Sequence, residues 1–528
     1  MIFTLTAVAL SALTLQHQHG PEQLGTVKFE NSCAAAAHAP FARAMALLHS
    51  FEFGMAIESF NAAAAADPSC GIAHWGVALS RWGNPFAAGI KPPAAIQAGN
   101  AAVAAARKAG ARTEREQAFI EAVAALYTDG DKVNQRTRVL AYRDAMKQVA
   151  ARYPKDPETL AFYALALAAS QDPTDMTYAS LVEAGQIVEK LVPTQPDHPG
   201  FVHYVIHAYD APPLAARALG AAQRYAKIAP SAPHALHMPS HTFTRLGYWK
   251  DSIDTNIASA EVARKLNSTF EELHALDYQM YAYLQLAKDA SAKGLLDQLP
   301  NVIARAAAPA TSGAAPPLAG GYAVAAIPAR YALERRAWAD AAKLDVTPTS
   351  FANAAAVTWF AKGLGAARSK DVAGARAAVE SLEQLQAKLA QGGEAYWAEQ
   401  VKIQHLGVSA WLALAEGKTE DALKAMREAA DREDKTEKNA VTPGPIAPAR
   451  EQLGEMLLEL KQPKAALEAF EITLKKEPNR FRALAGAVEA ERQIAAKGTY
   501  QAELLTLVAA ADGPVRPEVA ALKQGGRE

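Results

Sequence analysis

The sequence predicts an all-α solenoid of helix-turn-helix repeats, and three observations carry that expectation. Alanine-rich stretches, which favour helix strongly, run through the whole chain, and no alternating strand pattern persists. Small and large apolar residues recur with a 34-residue period. Proline and glycine fall between the helical stretches, where turns are needed. The balance of the 528 residues agrees: 50% apolar, 21% charged, and 54 Lys+Arg against 55 Asp+Glu, for a formal net charge of -1. A disordered chain would be poorer in apolar residues and richer in one charge. A general nucleic-acid binder would be basic. A mean hydropathy of -0.08 with a single apolar run excludes a multispanning membrane protein.

The first element is that run, residues 2–15 (IFTLTAVALSALTL), bounded by Gln16-His17-Gln18-His19-Gly20. It is too short for a comfortable span and suits the apolar region of a secretory signal, although no Lys or Arg precedes it. We read residues 1–16 as a signal peptide and expect a periplasmic or secreted protein with no integral membrane segment once the signal is removed. Cys33 and Cys70 follow, each just before a helix start, one repeat apart. An exported protein could close a disulfide there; two small buried residues is the competing reading.

Residues 37–70 form the first repeat, with Ala56, Phe60, Ala63 and Pro68 at positions 20, 24, 27 and 32. Residues 447–480 (APAREQLGEMLLELKQPKAALEAFEITLKKEPNR) form the clearest one, with Leu453, Gly454, Ala466, Phe470 and Pro478 at positions 7, 8, 20, 24 and 32. Small residues let paired helices approach, Phe fills the gap, and Pro ends the second helix because it has no N–H to donate. This pattern resembles the tetratricopeptide repeat. The resemblance implies a right-handed superhelix whose first helices line a concave binding groove at positions 2, 5 and 9. Further units are expected near 155–190, 273–305, 320–345, 355–390 and 400–432, and Pro196 and Pro230 each open one. Residues 308–321 (APATSGAAPPLAGG) read as a linker between an N-terminal lobe, 17–307, and a C-terminal lobe, 322–528, with a second break at Thr442-Pro443-Gly444-Pro445.

Function enters through the histidines. Twelve of the thirteen lie before residue 275, and the other is His405. With Pro199 and Pro233 as position 1 of adjacent units, His203 and His237 fall at position 5 and His207 and His241 at position 9. Residues four apart share a helix face with Cβ atoms about 5–6 Å apart, and neighbouring helices pack about 8–10 Å apart. A roughly square cluster of four imidazoles on the groove face follows. His234 falls at position 2 of the second unit. If Ala287 matches Gly247 at position 15, His274, Asp277 and Tyr281 take positions 2, 5 and 9 of the next. His198 and Asp210 flank the first pair, and His38, His49 and His74 belong to the first repeats.

Imidazole binds copper, zinc, iron and nickel through a neutral ring nitrogen, and ligands one turn apart can share an ion. We therefore expect a divalent transition metal (copper, zinc or iron) on His203, His207, His237 and His241. His234, His274 and Asp277 stand as further ligands or as groups orienting them. The competing reading is a copied packing pattern, but the equivalent helices at 71–85 and 447–461 lack the pair. Trp75, Trp82, Phe86 and Trp249 could wall the groove but read more simply as core. Asp129-Gly130-Asp131 is too incomplete for a calcium loop, Gly320-Gly321 is no phosphate cradle, and neither cysteine has a metal-ligand spacing. The reading is a binding module with a metal site, its partner a peptide, protein or small molecule in the groove and not a nucleic acid. Two rivals stand beside it. One is a metal-dependent enzyme with Asp277 or Tyr281 assisting proton transfer; the other is a metal-free scaffold.

Overall fold

The computed structural model describes residues 22–87, 90–130, 132–306, 313–495 and 498–525. The apolar run 2–15, with the whole of the expected signal peptide 1–16, and His17 and His19 lie outside them. Among the described residues the protein is an all-α helical-repeat solenoid, and its only strand-like pairing is an isolated bridge between Lys288 and Asp512. Seven of the expected units are simple helix pairs: Ala35–His49 with Phe53–Ala66, Pro157–Ala169 with Ala179–Leu191, Thr269–Gln285 with Asp289–Arg305, Pro317–Glu334 with Trp338–Ala342, Ala352–Arg368 with Val372–Gln391, Ala395–Ala415 with Thr419–Glu433, and Ala449–Glu459 with Pro463–Lys476. No helix is long and apolar enough to cross a membrane among those residues.

The repeat positions do the packing that the pattern implies. Phe60 and Phe470 are fully buried, as are Ala56, Ala63 and Ala466. A Cβ on Gly76 would come within 2.4 Å of the Phe60 ring, and Cβ atoms on Gly454 and Gly486 within 2.7 and 2.3 Å of Phe470. The turn joining paired helices repeatedly carries one left-handed residue: Phe51, Gly247, Ala287 and Lys461, all at position 15, with φ between 52° and 69°. That conformation stops the first helix and satisfies its last carbonyls, so the chain reverses in a fixed direction. Cys33 and Cys70 form a disulfide with Cα atoms 5.0 Å apart, joining the starts of successive units.

Two features set the site. The stretch read as a linker is helical from Pro317, and Ala314 packs into the N-terminal core while Ala315 packs into the C-terminal one. The far end of the solenoid also returns to its middle. Trp249 Nε1 donates to the Asn479 carbonyl at 2.8 Å, and the Arg516 guanidinium pairs with Asp289 at 2.6 Å. The helix Phe481–Gln493 touches Thr269–Gln285. The C-terminal repeats therefore close on themselves. The segment between Glu433 and Ala449, which contains the expected break at 442–445, lies across the inner face as a long loop.

Candidate metal centre

His203 and His207 sit one turn apart on Pro199–Ala208, whose N-terminus is capped by His198 through Nδ1 accepting the Phe201 N–H. The next first helix is broken: Pro233–His237 and Pro239–Arg245 meet at Met238. That break changes the square. His203, His207 and His234 form one group whose ligand atoms lie within 4.8 Å of one another, and His237, His241 and His274 form a second. The rings of His207 and His241 are 6.4 Å apart and those of His234 and His237 6.1 Å, so the six imidazoles are contiguous. All six are buried.

The hydrogen bonds fix which nitrogens carry protons. His237 Nδ1 lies 2.7 Å from Asn256 Oδ1, and Asn256 spends its own Nδ2 on the Ser252 carbonyl, so His237 Nδ1 is the donor. His241 Nδ1 donates to Asp210 Oδ2 at 2.8 Å, and His203 Nδ1 donates to the His49 carbonyl at 2.7 Å. A neutral imidazole has one proton, so in all three the Nε2 is a bare lone pair. Yet His237 Nε2 and His241 Nε2 face each other at 3.1 Å, and His203 Nε2 faces His234 Nε2 at 3.1 Å. His207 Nε2, His234 Nδ1 and His274 Nδ1 are buried with no hydrogen-bond partner. Burial pushes every one of these imidazoles down, His203 and His274 to about 3 and His207, His234 and His237 well below the usual range, with His241 also lowered. They are neutral, the form in which imidazole binds metal.

The surroundings are equally specific. Burial acts to raise the Asp210 carboxyl, but Lys438 and Arg245, with the His241 hydrogen bond, hold it well below the usual carboxylate range. Arg245 Nε bonds Asp210 Oδ1 at 2.9 Å and Lys438 Nζ bonds Oδ2 at 3.2 Å. The Tyr278 hydroxyl lies 3.3 Å from His241 Nε2 and 3.2 Å from the Thr442 carbonyl. Phe86, one of the expected wall residues, stacks on His207 with ring centroids 3.9 Å apart, whereas Trp75 and Trp249 are core. A small cavity of about 20 Å³ touches His207, His234, His241, His274 and Met238, roofed by Ala314–Pro316 and Ala440–Val441. The histidine face is thus covered by the chain itself and is not an open groove.

Two expected participants point elsewhere. Asp277 is paired with Arg330 at 2.8 Å, and the Tyr281 hydroxyl donates to Glu477 at 2.9 Å and accepts from Arg480 at 3.1 Å. The phenol beside the imidazoles is Tyr278, one turn after His274. His38 bonds the Cys33 carbonyl, and His49 and His198 share Glu158 in a third group. Sequence reasoning missed Asn256, Met238, Tyr278 and Glu158; only Tyr278 carried a signal, four residues past His274.

No family model matches the chain, and no curated protein matches it. Among solved structures it is similar to the human IFIT1 dimer with m7Gppp-AAAA, at 11% identity and a TM-score of 0.41, over 88% of this chain and 96% of that one. It is also similar to the P58(IPK) TPR domain, at 12% identity and a TM-score of 0.21, over 87% and 99%. A third is Naa15/Naa10 bound to HypK-THB, at 11% identity and a TM-score of 0.23, over 93% and 91%. At these scores the likenesses carry no functional argument.

Proposed function

We propose that this helical-repeat protein is a metalloprotein with a buried two-ion centre, one ion on His203, His207 and His234 and the other on His237, His241 and His274. One observation carries the reading. The Nδ1 protons of His237 and His241 are committed to Asn256 and Asp210, so two bare Nε2 lone pairs face each other at 3.1 Å. Two buried acceptors at that distance repel unless a cation lies between or beside them. An Nδ1 donor bond with Nε2 left free is the arrangement that orients metal-binding imidazole.

Copper suits the donor set best. Neither trio contains a carboxylate, the ligand that iron sites commonly add, and the Met238 thioether, soft and fully buried, lines the adjoining cavity. Among the described residues, the carboxylate hydrogen-bonded to these six imidazoles is Asp210, and it is already matched by Arg245 and Lys438. Little net negative charge then remains to offset highly charged ions in a buried site, which favours Cu(I) over divalent ions. Three imidazoles per ion leave a coordination position for an exogenous small ligand in the cavity, so the centre is suited to binding or chemistry on a small molecule. A peptide partner at this face is disfavoured because the loop covers it. The Cys33–Cys70 disulfide supports residence in an oxidising compartment and hence export.

Metal analysis of protein purified without a polyhistidine tag, after exposure to copper, zinc and iron, tests the reading. We expect two equivalents of copper, one in each single-trio variant (His203→Ala or His237→Ala) and none in the double variant. Asp210→Asn should weaken binding about 10–100-fold in chelator competition. A wild-type chain that retains none of the three metals overturns the proposal; zinc in place of copper overturns the choice of ion alone.

A further inference from the structure

A small molecule that binds the metal centre has to reach it. The cavity beneath the loop, of about 20 Å³, has room for about one water. A second cavity, of about 40 Å³, shares no lining residue with it and adjoins the first trio. It lies between Ala35–His49, Gly71–Trp82, Gln135–Arg152, Pro157–Ala169 and Pro199–Ala208. Leu48, Phe51, Phe162 and Tyr204, all buried, form its floor. Gly83, Pro85, Val139 and Ala169 are partly exposed and form its rim, so the space runs inward from the surface.

The floor touches the histidines. The Phe51 ring packs against all three imidazoles of the first trio, with centroids 4.4 Å from His203, 5.5 Å from His207 and 5.4 Å from His234. Tyr204 lies 5.6 Å from His203. A molecule on this floor is one phenyl ring away from the imidazoles, and side chains in packed interiors still hop between rotamers.

Chemistry and size select the occupant. Among the described residues no charged side chain lines the cavity. Its polar side-chain atoms are the Trp82 N–H and the hydroxyls of Tyr142 and Tyr204, and the last is engaged with His49 Nδ1 at 2.9 Å. A buried water wants about two to four polar partners, and apolar space without them stays dry. A benzene-sized guest takes a cavity of about 150 Å³, several times this one. What fits is an apolar molecule of very few heavy atoms. Of the apolar diatomics in air, dioxygen is the one that copper engages. The Cys33–Cys70 disulfide supports an oxidising compartment, where dioxygen is at hand.

We propose that this cavity takes up dioxygen and passes it to the ion on His203, His207 and His234. Uptake stands on the cavity alone; delivery rests on the metal reading above.

Dioxygen is paramagnetic and so marks its own position. In metal-free full-length protein with labelled methyl groups, Leu48, Leu79 and Leu165 should relax several-fold faster under oxygen pressure than under nitrogen. Leu382 and Leu389, buried in the C-terminal core, should change little. Ala166→Leu fills the interior of the cavity and Ala169→Phe closes its rim, and each should abolish the enhancement at Leu48. The rim position is partly exposed, so the second variant accommodates its ring even where the first overpacks; unchanged melting temperatures would confirm folding. With copper bound, the His237→Ala chain keeps the first ion alone. Carbon monoxide, a diatomic that binds Cu(I) without redox change, should then bind several-fold more slowly when either cavity variant is added, as read by infrared absorption. Methyl relaxation at the cavity no greater than at Leu382 and Leu389, or unmoved by both folded variants, overturns uptake. Carbon monoxide rates unchanged in the copper-loaded variants overturn delivery alone. A chain that binds no copper overturns the metal reading and delivery with it, and the methyl result then decides uptake by itself.

Discussion

Glu158 shows what a histidine cluster looks like when it needs nothing else. His49 Nε2 and His198 Nε2 each bond one of its oxygens, at 3.0 and 2.9 Å, while His49 Nδ1 meets the Tyr204 hydroxyl and His198 Nδ1 takes a helix N–H. Every ring nitrogen has a partner, so this group is a structural clasp, unlike the facing lone pairs of His237 and His241. Burial alone would raise the Glu158 carboxyl, but His49 and the hydrogen bonds from both imidazoles hold it down at about 2. A carboxyl depressed in the fold stabilises above its unfolded pKa and loses that contribution as pH falls through the folded one. The window here runs from about 4.5 down to about 2. Glu158→Gln should therefore cost roughly 3 kcal/mol at pH 7 and flatten the acid limb of a urea-stability profile across that window. A wild-type profile without that limb would refute the clasp. The same residues show how far the sequence could be read. Four-residue spacing is local, so His203/His207 and His237/His241 were legible as pairs. Asp210 was visible as a neighbour of the first pair, but its bond to His241, like that of Asn256 to His237, is made across helix packing and leaves no local pattern.

At the scale of the element, the helix pairs were legible because each follows from a few recurring positions, above all a small residue facing Phe60 or Phe470. Gly486 makes that dependence testable. A Cβ there would lie 2.3 Å from Phe470, whose ring is also held by Gly454. Alanine improves helix propensity by about 1 kcal/mol, but overpacking a filled gap costs about 1–3 kcal/mol. Both neighbours of the ring are backbone-close, so relief is poor and the packing loss should win. We expect Gly486→Ala to lower the urea midpoint of the C-terminal repeats, and the exposed helical glycine Gly294, with open space around it, to gain stability from the same change. Equal effects at both sites would mean that propensity, not the Phe contact, governs the repeat. What the pattern could not show is the broken helix at Met238–Pro239. The break turns His234 toward His203, and only the packed structure shows how the six rings then divide.

At the scale of the whole molecule, the loop between Glu433 and Ala449, which contains the break expected at 442–445, roofs the histidine cluster. Its anchor is Arg330, fully buried, which pairs with Asp277 and donates to Thr442 Oγ1 and to the Gly444 and Pro445 carbonyls. Loop contacts of this kind join residues more than a hundred positions apart, which is why no repeat register could reveal them. Arg330→Met removes the anchor and also leaves the Asp277 carboxylate buried without its counter-charge, a change costing about 3–5 kcal/mol. The second effect is separable: adding Asp277→Asn removes the stranded charge and should recover part of the stability, since a neutral buried pair is far cheaper than half of an ionic one. The anchor is not restored by that second change. We therefore expect amide exchange within residues 437–446, and the rate at which a chelator strips bound copper, to rise in the single variant and to stay raised in the double. If both return to wild-type values when Asp277 is neutralised, Arg330 serves only to balance a charge, and the loop is held over the histidines by its other contacts, those to Arg245, Tyr278 and Tyr396.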